Sequence, residues 1–383
     1  MCKPVTHTFI DVSSRAIDQS KAAGTELERM VVRWLGSLIG YGAHAKGLLT
    51  SGGSMANMIS LLVASRRKLN ASRQGLWNSG SPMTVYASEE VHMSIPKAAD
   101  ILGFGRDQVR IVACDDRRRM RVDALRQTIE NDLREGLRPF CVVASAGTVN
   151  TGVVDPLNDI ASVAKEFDLW FHVDGAYGAP GVLDERKKHL FAGLEHADSV
   201  SLDPHKWLYV PVDAGCLLLR DSLAAQEAFS TEDADYIKTH GYADEEAFAF
   251  WDYGAELSRR FRALKVWMTL QYYGTRRIAE AISEDISLAA YLGEVVSTAN
   301  DFELLAPVEL SICCFRYVPP GVTDDAELNR LNERIMERVQ KSGRAYVSNA
   351  TVNGKFALRA CITNFRTTKS DIDETVEAIR LAV

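Results

Sequence analysis

The chain has no excess of basic residues: 44 Lys and Arg face 51 Asp and Glu, for a formal net charge of -7. That balance disfavours non-specific attraction to a phosphate backbone or an anionic lipid surface, so neither nucleic acid nor membrane is an expected partner. No run reaches the roughly 18 consecutive apolar residues of a membrane-spanning helix. Residues 1–7 also lack a basic segment followed by an apolar one. A soluble, cytoplasmic protein is the expectation. Cysteine is odd in number and unpatterned: Cys2, Cys114, Cys141, Cys216, Cys313, Cys314 and Cys361 never fall as C-x-x-C. Most sit in apolar runs, so buried reduced thiols are expected, with no disulfide and no metal site. Internal repeats and low-complexity tracts are absent as well.

What is present is a chain of 383 residues, 46% of them apolar, long enough for one large core and a smaller one. Leu27, Met30, Val31, Trp34, Leu35 and Leu38 recur at helical spacing, which predicts an amphipathic helix over 13–39. A second helix is predicted over 55–68. Beyond it, β-rich runs at 83–87, 109–113, 140–145, 169–173, 199–202 and 215–219 alternate with helical patterns at 95–102, 122–135 and 156–167. That rhythm defines an α/β fold with a mostly parallel sheet wrapped by helices. Residues 221–253 lose periodicity and become acidic and aromatic, which predicts an irregular lid, followed by a long helix over 255–273. A strand at 310–317, a helix at 325–341, a strand pair at 345–351 and 355–361 around Asn353-Gly354, and a last helix from 370 predict a separate α+β unit. The expected organisation is a helical N-terminal remnant (1–50), a large domain (51–295) and a small C-terminal domain (296–383).

Four short stretches carry chemistry. The first, Ser199-Val200-Ser201-Leu202-Asp203-Pro204-His205-Lys206-Trp207, runs a short strand into a polar corner. A lone lysine is ordinarily a solvated surface charge. Held among Pro204, Trp207 and Leu208, Lys206 is expected to be partly desolvated, which favours the neutral amine and makes it a nucleophile towards an aldehyde. The second is Phe171-His172-Val173-Asp174-Gly175-Ala176-Tyr177, an apolar strand ending in a carboxylate at the carboxyl edge of the sheet. There Asp174 either caps a turn or pairs with a pyridinium nitrogen and keeps it protonated, while small Ala176 leaves room for a flat ring. The third, Ser51-Gly52-Gly53-Ser54 before a helix, offers free N–H groups and the Ser54 hydroxyl to a phosphate, although the same pattern also makes an ordinary loop and cap. Finally, His92 follows a predicted strand, where it is a structural histidine or an imidazole laid on a cofactor ring. Each signal is weak alone, and their occurrence in one order at sheet boundaries is what gives them weight.

On these residues the chain resembles the group II pyridoxal-phosphate decarboxylases, the family of aromatic-amino-acid, histidine, glutamate and cysteine-sulfinate decarboxylases. The resemblance is carried by Thr25-Glu26-Leu27-Glu28, by the Ser51 to Asn57 run, by Val91-His92, Ala146-Gly147-Thr148, His172 to Tyr177, Asp203 to Trp207 and Arg259 to Lys265. It implies a fold-type I architecture with a seven-stranded-type sheet, pyridoxal 5'-phosphate as cofactor, and an amino-acid decarboxylase that is a homodimer with sites at the subunit interface. It makes Lys206 the Schiff-base lysine, Asp174 the partner of the ring nitrogen and His92 the stacking residue. Gly53, Ser54, Ser199 and His205 become phosphate ligands or their neighbours. Asp235-Tyr236-Ile237-Lys238-Thr239-His240 resembles the family's mobile-loop motif and places at Tyr236 the group that returns a proton to the substrate carbon. Related aldehyde synthases carry phenylalanine there, so tyrosine favours simple decarboxylation. Two departures stand out. Val149 occupies a position where many members have threonine. Members of usual size also carry on the order of 80 to 100 residues before the Thr25 helix, most of them absent here. An aromatic L-amino acid is the expected substrate, with an acidic amino acid, aldehyde synthesis and a non-catalytic dimer partner as the alternatives. Aminotransferases and desulfurases of the same fold type share the Asp and Lys logic without the His-Lys-Trp block.

Overall fold

The computed structural model describes residues 16–42, 45–69, 80–229 and 250–383. In chain order the elements are α1 (Ala16–Leu38), β1 (Lys46–Thr50), α2 (Gly53–Leu69), β2 (Met83–Ser88), α3 (Ser94–Ile101), β3 (Val109–Val112), α4 (Val122–Arg134), β4 (Arg138–Ser145), α5 (Leu157–Glu166), β5 (Trp170–Asp174), β6 (Ser199–Leu202) and β7 (Gly215–Leu219). They continue with α6 (Ser222–Phe229), α7 (Arg262–Thr298), β8 (Phe302–Leu304), β9 (Ile312–Tyr317), α8 (Asp325–Ser342), β10 (Ser348–Val352), β11 (Lys355–Cys361) and α9 (Lys369–Leu381).

Seven strands form one sheet in the order β1-β7-β6-β5-β4-β2-β3. All neighbours are parallel except those of β7, which runs against both β1 and β6. Central strands buried on both faces read as continuous apolar runs, and β4 and β5 do so because both faces are covered. Side chains alternate between two cores: Val142, Ala144, Phe171 and Val173 pack on one side, Cys141, Val143 and Trp170 on the other with α2. The register sets His172 opposite Ser199 and Asp174 opposite Ser201. Three polar side chains of neighbouring strands, His172, Ser199 and Ser201, are thereby aligned beneath α2, and all three are fully buried.

The second sheet is antiparallel, in the order β10-β11-β9-β8. Cys313 and Phe315 on one face of β9 pack with Leu288 and Leu292 of α7, Ile335 of α8 and Ile379 of α9. Ile312 and Cys314 on the other face join Ala350 and Ala357, with Tyr177 packed against them. The β10–β11 hairpin turns at Asn353-Gly354, both with positive φ (51° and 77°), as the Asn-Gly signal requires.

Several expectations need correction. Residues 222–229 of the predicted lid are the helix α6, because Ser222, Ala224 and Ala225 bury one face of it; residues 230–249 lie outside the described set. The long helix begins at Arg262 rather than 255 and runs to Thr298, passing a non-helical Gly274 (φ 71°, ψ 158°). Strands β1 and β8 were not anticipated: β8 has only three residues, and Lys46-Gly47-Leu48-Leu49-Thr50 shows no strand alternation. Among the described residues no helix is long and apolar enough to cross a membrane, and no cluster of three or more His, Cys, Asp or Glu is arranged to hold a metal ion.

Candidate active site

Five strands that run in one direction, β1, β2, β4, β5 and β6, end at a common edge, and the loops leaving them enclose a cavity of about 350 Å³. Ligands in open α/β sheets gather at this edge because helix N-termini and strand ends converge there. Of the residues singled out from the sequence, Gly53, Ser54, His92, Asp174, Ala176, His205 and Lys206 line that cavity. Ser199 does not. It is fully buried beneath α2, where its hydroxyl meets Ser60 Oγ at 2.7 Å, Trp170 Nε1 at 2.8 Å and His172 Nδ1 at 2.9 Å. The strand alternation that places Ser201 against Asp174 turns Ser199 to the same face but deeper, away from any phosphate. Tyr236 lies outside the described residues.

At the floor, Asp174 ends β5 and is 8% exposed. Its Oδ1 accepts from the Ala176 N–H (3.1 Å) and the Ser201 hydroxyl (3.0 Å), and its Oδ2 accepts from Asn57 Nδ2 (2.8 Å). Burial pushes this carboxyl upward, but His172, Lys206, the Ala176 N–H and the Asn57 amide outweigh it and hold the group below the usual carboxylate range. Burial drives His172 itself down to about 4, so at neutral pH its ring is uncharged. The pull that persists on Asp174 there is that of Lys206 and the hydrogen bonds.

At one wall, α2 starts at Gly53, and the carbonyl of Gly52 already accepts the N–H groups of Met55 and Ala56. The N–H groups of Gly53 and Ser54 precede them and are left for a ligand, as at any helix start. The backbone comes so close to its neighbours here that a Cβ on Gly53 would stand 2.8 Å from Ala176 Cβ and 3.1 Å from Asp203 Oδ2. Only glycine fits.

Lys206 follows β6 on a turn in which its N–H is bonded to Asp203 O at 2.9 Å. Contrary to the expected desolvation, 41% of its side-chain surface is exposed, and its Nζ lies 2.9 Å from Asp203 Oδ2. Its apolar neighbours turn away. Trp207 is fully buried, donates from Nε1 to Asp285 Oδ2 (2.9 Å) and stacks on Tyr177 at 5.2 Å and 12°. Tyr209 donates to the same Asp285 oxygen at 2.7 Å. Asp285, pushed up to about 6 by burial, therefore anchors the lysine turn to α7. His205 Nδ1 contacts the main chain of Ala214, and its Nε2 lies 3.8 Å from Asp203 Oδ2. The other Asp203 oxygen is buried without a partner.

Asn57, Asp203 and Tyr177 were present in the quoted motifs without a role, and Ser94, two residues beyond His92, was not singled out. For Asn57 a signal existed: it follows Gly53 by four residues and precedes Ser60 by three, a polar stripe on an otherwise apolar helix face.

An amine, an anion cradle at a helix start and a buried ionised carboxylate around one cavity suit an anionic aldehyde with a basic ring nitrogen. Pyridoxal phosphate has those three features, and the close-packed cradle at Gly53 fits it. Fold and site thus define the fold-type I pyridoxal-phosphate enzymes. Residues 16–318 match the family model described as the pyridoxal-dependent decarboxylase conserved domain. The chain is 37% identical to the aromatic-L-amino-acid decarboxylase of Bacillus atrophaeus over 359 residues, covering 94% of this chain and 73% of that one. It is 32% identical to the 4-hydroxyphenylacetaldehyde synthase of Rhodiola rosea, covering 92% and 72%. The Oryza sativa TDC structure with PLP and tryptamine superposes with a TM-score of 0.86 at 28% identity, covering 95% of this chain and 76% of that one. The chain belongs to the pyridoxal-dependent decarboxylase family and is a pyridoxal-phosphate-dependent carboxy-lyase acting on an amino acid.

Proposed function

We propose that the substrate is an aromatic L-amino acid, released as its amine and carbon dioxide. The observation that carries this reading is that Lys206 is the only lysine or arginine among the described residues lining the cavity. An acidic side chain would need a second cation to meet it, and none is provided there. The decarboxylase named for aromatic substrates among the relatives supports the same choice.

Pyridoxal phosphate, when bound, supplies an aldehyde for an amino group and a ring that takes up the electron pair left by carbon dioxide. Lys206 is the residue that holds it between turnovers and yields to the incoming amine. Asp174 keeps the ring nitrogen protonated, since an ionised carboxylate at the floor favours the charged form of its partner. The Gly53 and Ser54 N–H groups, the Ser54 hydroxyl and His205 take the phosphate, Ala176 leaves space for the ring, and His92 covers its open face. Tyr236 returns the proton to the substrate carbon. The same reading makes the enzyme a cytoplasmic homodimer, with Tyr236 serving the neighbouring subunit's site. Aldehyde synthesis is the second reading, favoured by the Rhodiola rosea relative; the tyrosine at 236 speaks against it.

The decisive experiment is a turnover panel of tryptophan, tyrosine, dopa, glutamate and aspartate, with carbon dioxide, amine, aldehyde and peroxide measured separately. Amine from an aromatic substrate is expected; turnover of glutamate or aspartate alone overturns the reading. Lys206→Ala should abolish the visible absorbance of the bound cofactor and bring carbon dioxide release to background, and a chromophore surviving unchanged would sink the assignment.

A further inference from the structure

We infer that Asn57 is a positioning residue whose single amide holds Asp174 and at the same time sets the proton positions of His172 and His92, leaving the His92 proton on Nε2 towards the cavity. The derivation needs only donors and acceptors. Asp174 is surrounded by donors: the Ala176 N–H and Ser201 hydroxyl at Oδ1, and Asn57 at Oδ2. It is therefore a carboxylate, and the Asn57 atom that faces it is the amide nitrogen.

Two consequences propagate in opposite directions. The Asn57 oxygen is turned to His172 Nε2 at 3.0 Å, and an amide oxygen only accepts, so His172 carries its proton on Nε2. His172 Nδ1 must then accept from the Ser199 hydroxyl at 2.9 Å, and Ser199 in turn accepts from Trp170 Nε1 and from Ser60. Every member of that arm is buried and satisfied. On the other side, the Asn57 nitrogen also donates to Ser94 Oγ at 2.9 Å. Ser94 spends its hydroxyl proton on His92 Nδ1 at 2.7 Å, and its N–H approaches the same nitrogen at 3.2 Å. Two donors at Nδ1 exclude a proton there, so a neutral His92 ring bears it on Nε2. Flipping the Asn57 amide would set its oxygen against the Asp174 carboxylate, two acceptors face to face; His172 would follow by moving its proton to Nδ1, so it is the Asp174 contact that fixes the amide and, through it, the His172 tautomer. Ionisation of Asp174 and the tautomer of His92 are thereby a single linked choice. Only the statement that this tautomer meets the cofactor rests on the proposed function; the tautomers themselves do not.

Long-range 15N–1H spectra of histidine-labelled, cofactor-free protein test this, with signals assigned from His92→Gln and His172→Gln. Both rings should show the Nε2–H pattern. Ser94→Ala removes the hydroxyl donor and leaves only the backbone N–H at His92 Nδ1, so the His92 Nδ1 resonance should shift while His172 stays unchanged, whereas Asn57→Leu should disturb both. Asn57→Leu should also weaken pyridoxal-phosphate binding, read from cofactor absorbance, by about tenfold, the scale of a lost hydrogen bond to a charged group. An Nδ1–H pattern at His172 in the parent chain, or an unaltered His92 signal in Ser94→Ala, overturns the inference. So does cofactor affinity equal to the parent's in a folded Asn57→Leu. Should Asn57→Leu fail to fold, the parent and Ser94→Ala spectra decide alone. A parent chain that decarboxylates nothing in the panel would end the functional reading without touching these spectra.

Discussion

At the floor of the cavity Asp174 is buried with three hydrogen bonds, and the side chains behind it, from Asn57 to Ser60, are each bonded to the next. At the rim Lys206 stands 41% exposed against Asp203, and the first N–H groups of α2 have no carbonyl partner within the helix. The floor is complete without a ligand, while the rim is completed by one. Preorganised dipoles at the floor can act on a ring without rearranging, which is where they have most effect. The rim must instead exchange partners as cofactor and substrate come and go.

Substitutions at the two levels should therefore fail in different ways. The largest effect is expected from Asp174→Asn, which keeps the shape but removes the charge: kcat should fall by roughly a hundredfold or more, a far larger effect than the drop in melting temperature from the new amide nitrogen facing a donor. A large loss of stability with kcat intact would show that Asp174 belongs to the fold and not to the chemistry. Ser199→Ala should do the reverse. It strips the hydroxyl from Ser60, Trp170 and His172 in the interior, costing about 1–3 kcal/mol in urea unfolding. Cofactor affinity should change little; a selective loss of affinity would restore Ser199 to the phosphate.

A pH series sharpens the contrast further. His172 ionises at about 4 in the fold, against an ordinary 6.5. The unfolded chain therefore binds its proton first, and the stability this residue contributes is present above pH 6.5 and lost as pH falls towards 4. The slope reaches at most about 1.4 kcal/mol per pH unit. Asp155 and Asp285, both pushed up to about 6 by burial, oppose it, because below pH 6 they hold protons that the unfolded chain has released. The difference between the parent and His172→Gln unfolding curves isolates the histidine, and parallel curves would show that its burial has no such cost. The smallest effect is expected at the rim from Val149→Thr. The neighbouring Thr148 and Thr151 hydroxyls already pair at 2.9 Å, so kcat/KM should stay within about threefold, the scale of one surface contact. A tenfold gain would mean that the missing hydroxyl had been limiting.

Much of this was legible in the residues. The runs at 199–202 and 215–219 match β6 and β7 end to end, β6 through its alternation of serine with Val200 and Leu202 and β7 through its continuous apolar run. Asn353-Gly354 announced its hairpin through positive φ. The lining residues from Gly53 to Lys206 were found because motif order tracks strand order at one sheet edge. Ser199 was misplaced because a period of two tells which face a side chain takes but not its depth along the strand. The desolvation expected of Lys206 failed for a similar reason: Pro204, Trp207 and Leu208 are buried, yet a turn can send the residue between them the opposite way.

By itself the sequence determined the alternation of strands and helices, the amine and carboxylate of the site, and the family to which the chain belongs, since periodicity and motif spacing are local properties. Tertiary structure alone decided that Asn57 lies between Asp174, His172 and Ser94, 117, 115 and 37 residues away along the chain. Hydrogen-bond direction depends on which atoms meet, and those meetings are set by strand register and by the packing of α2 across the sheet.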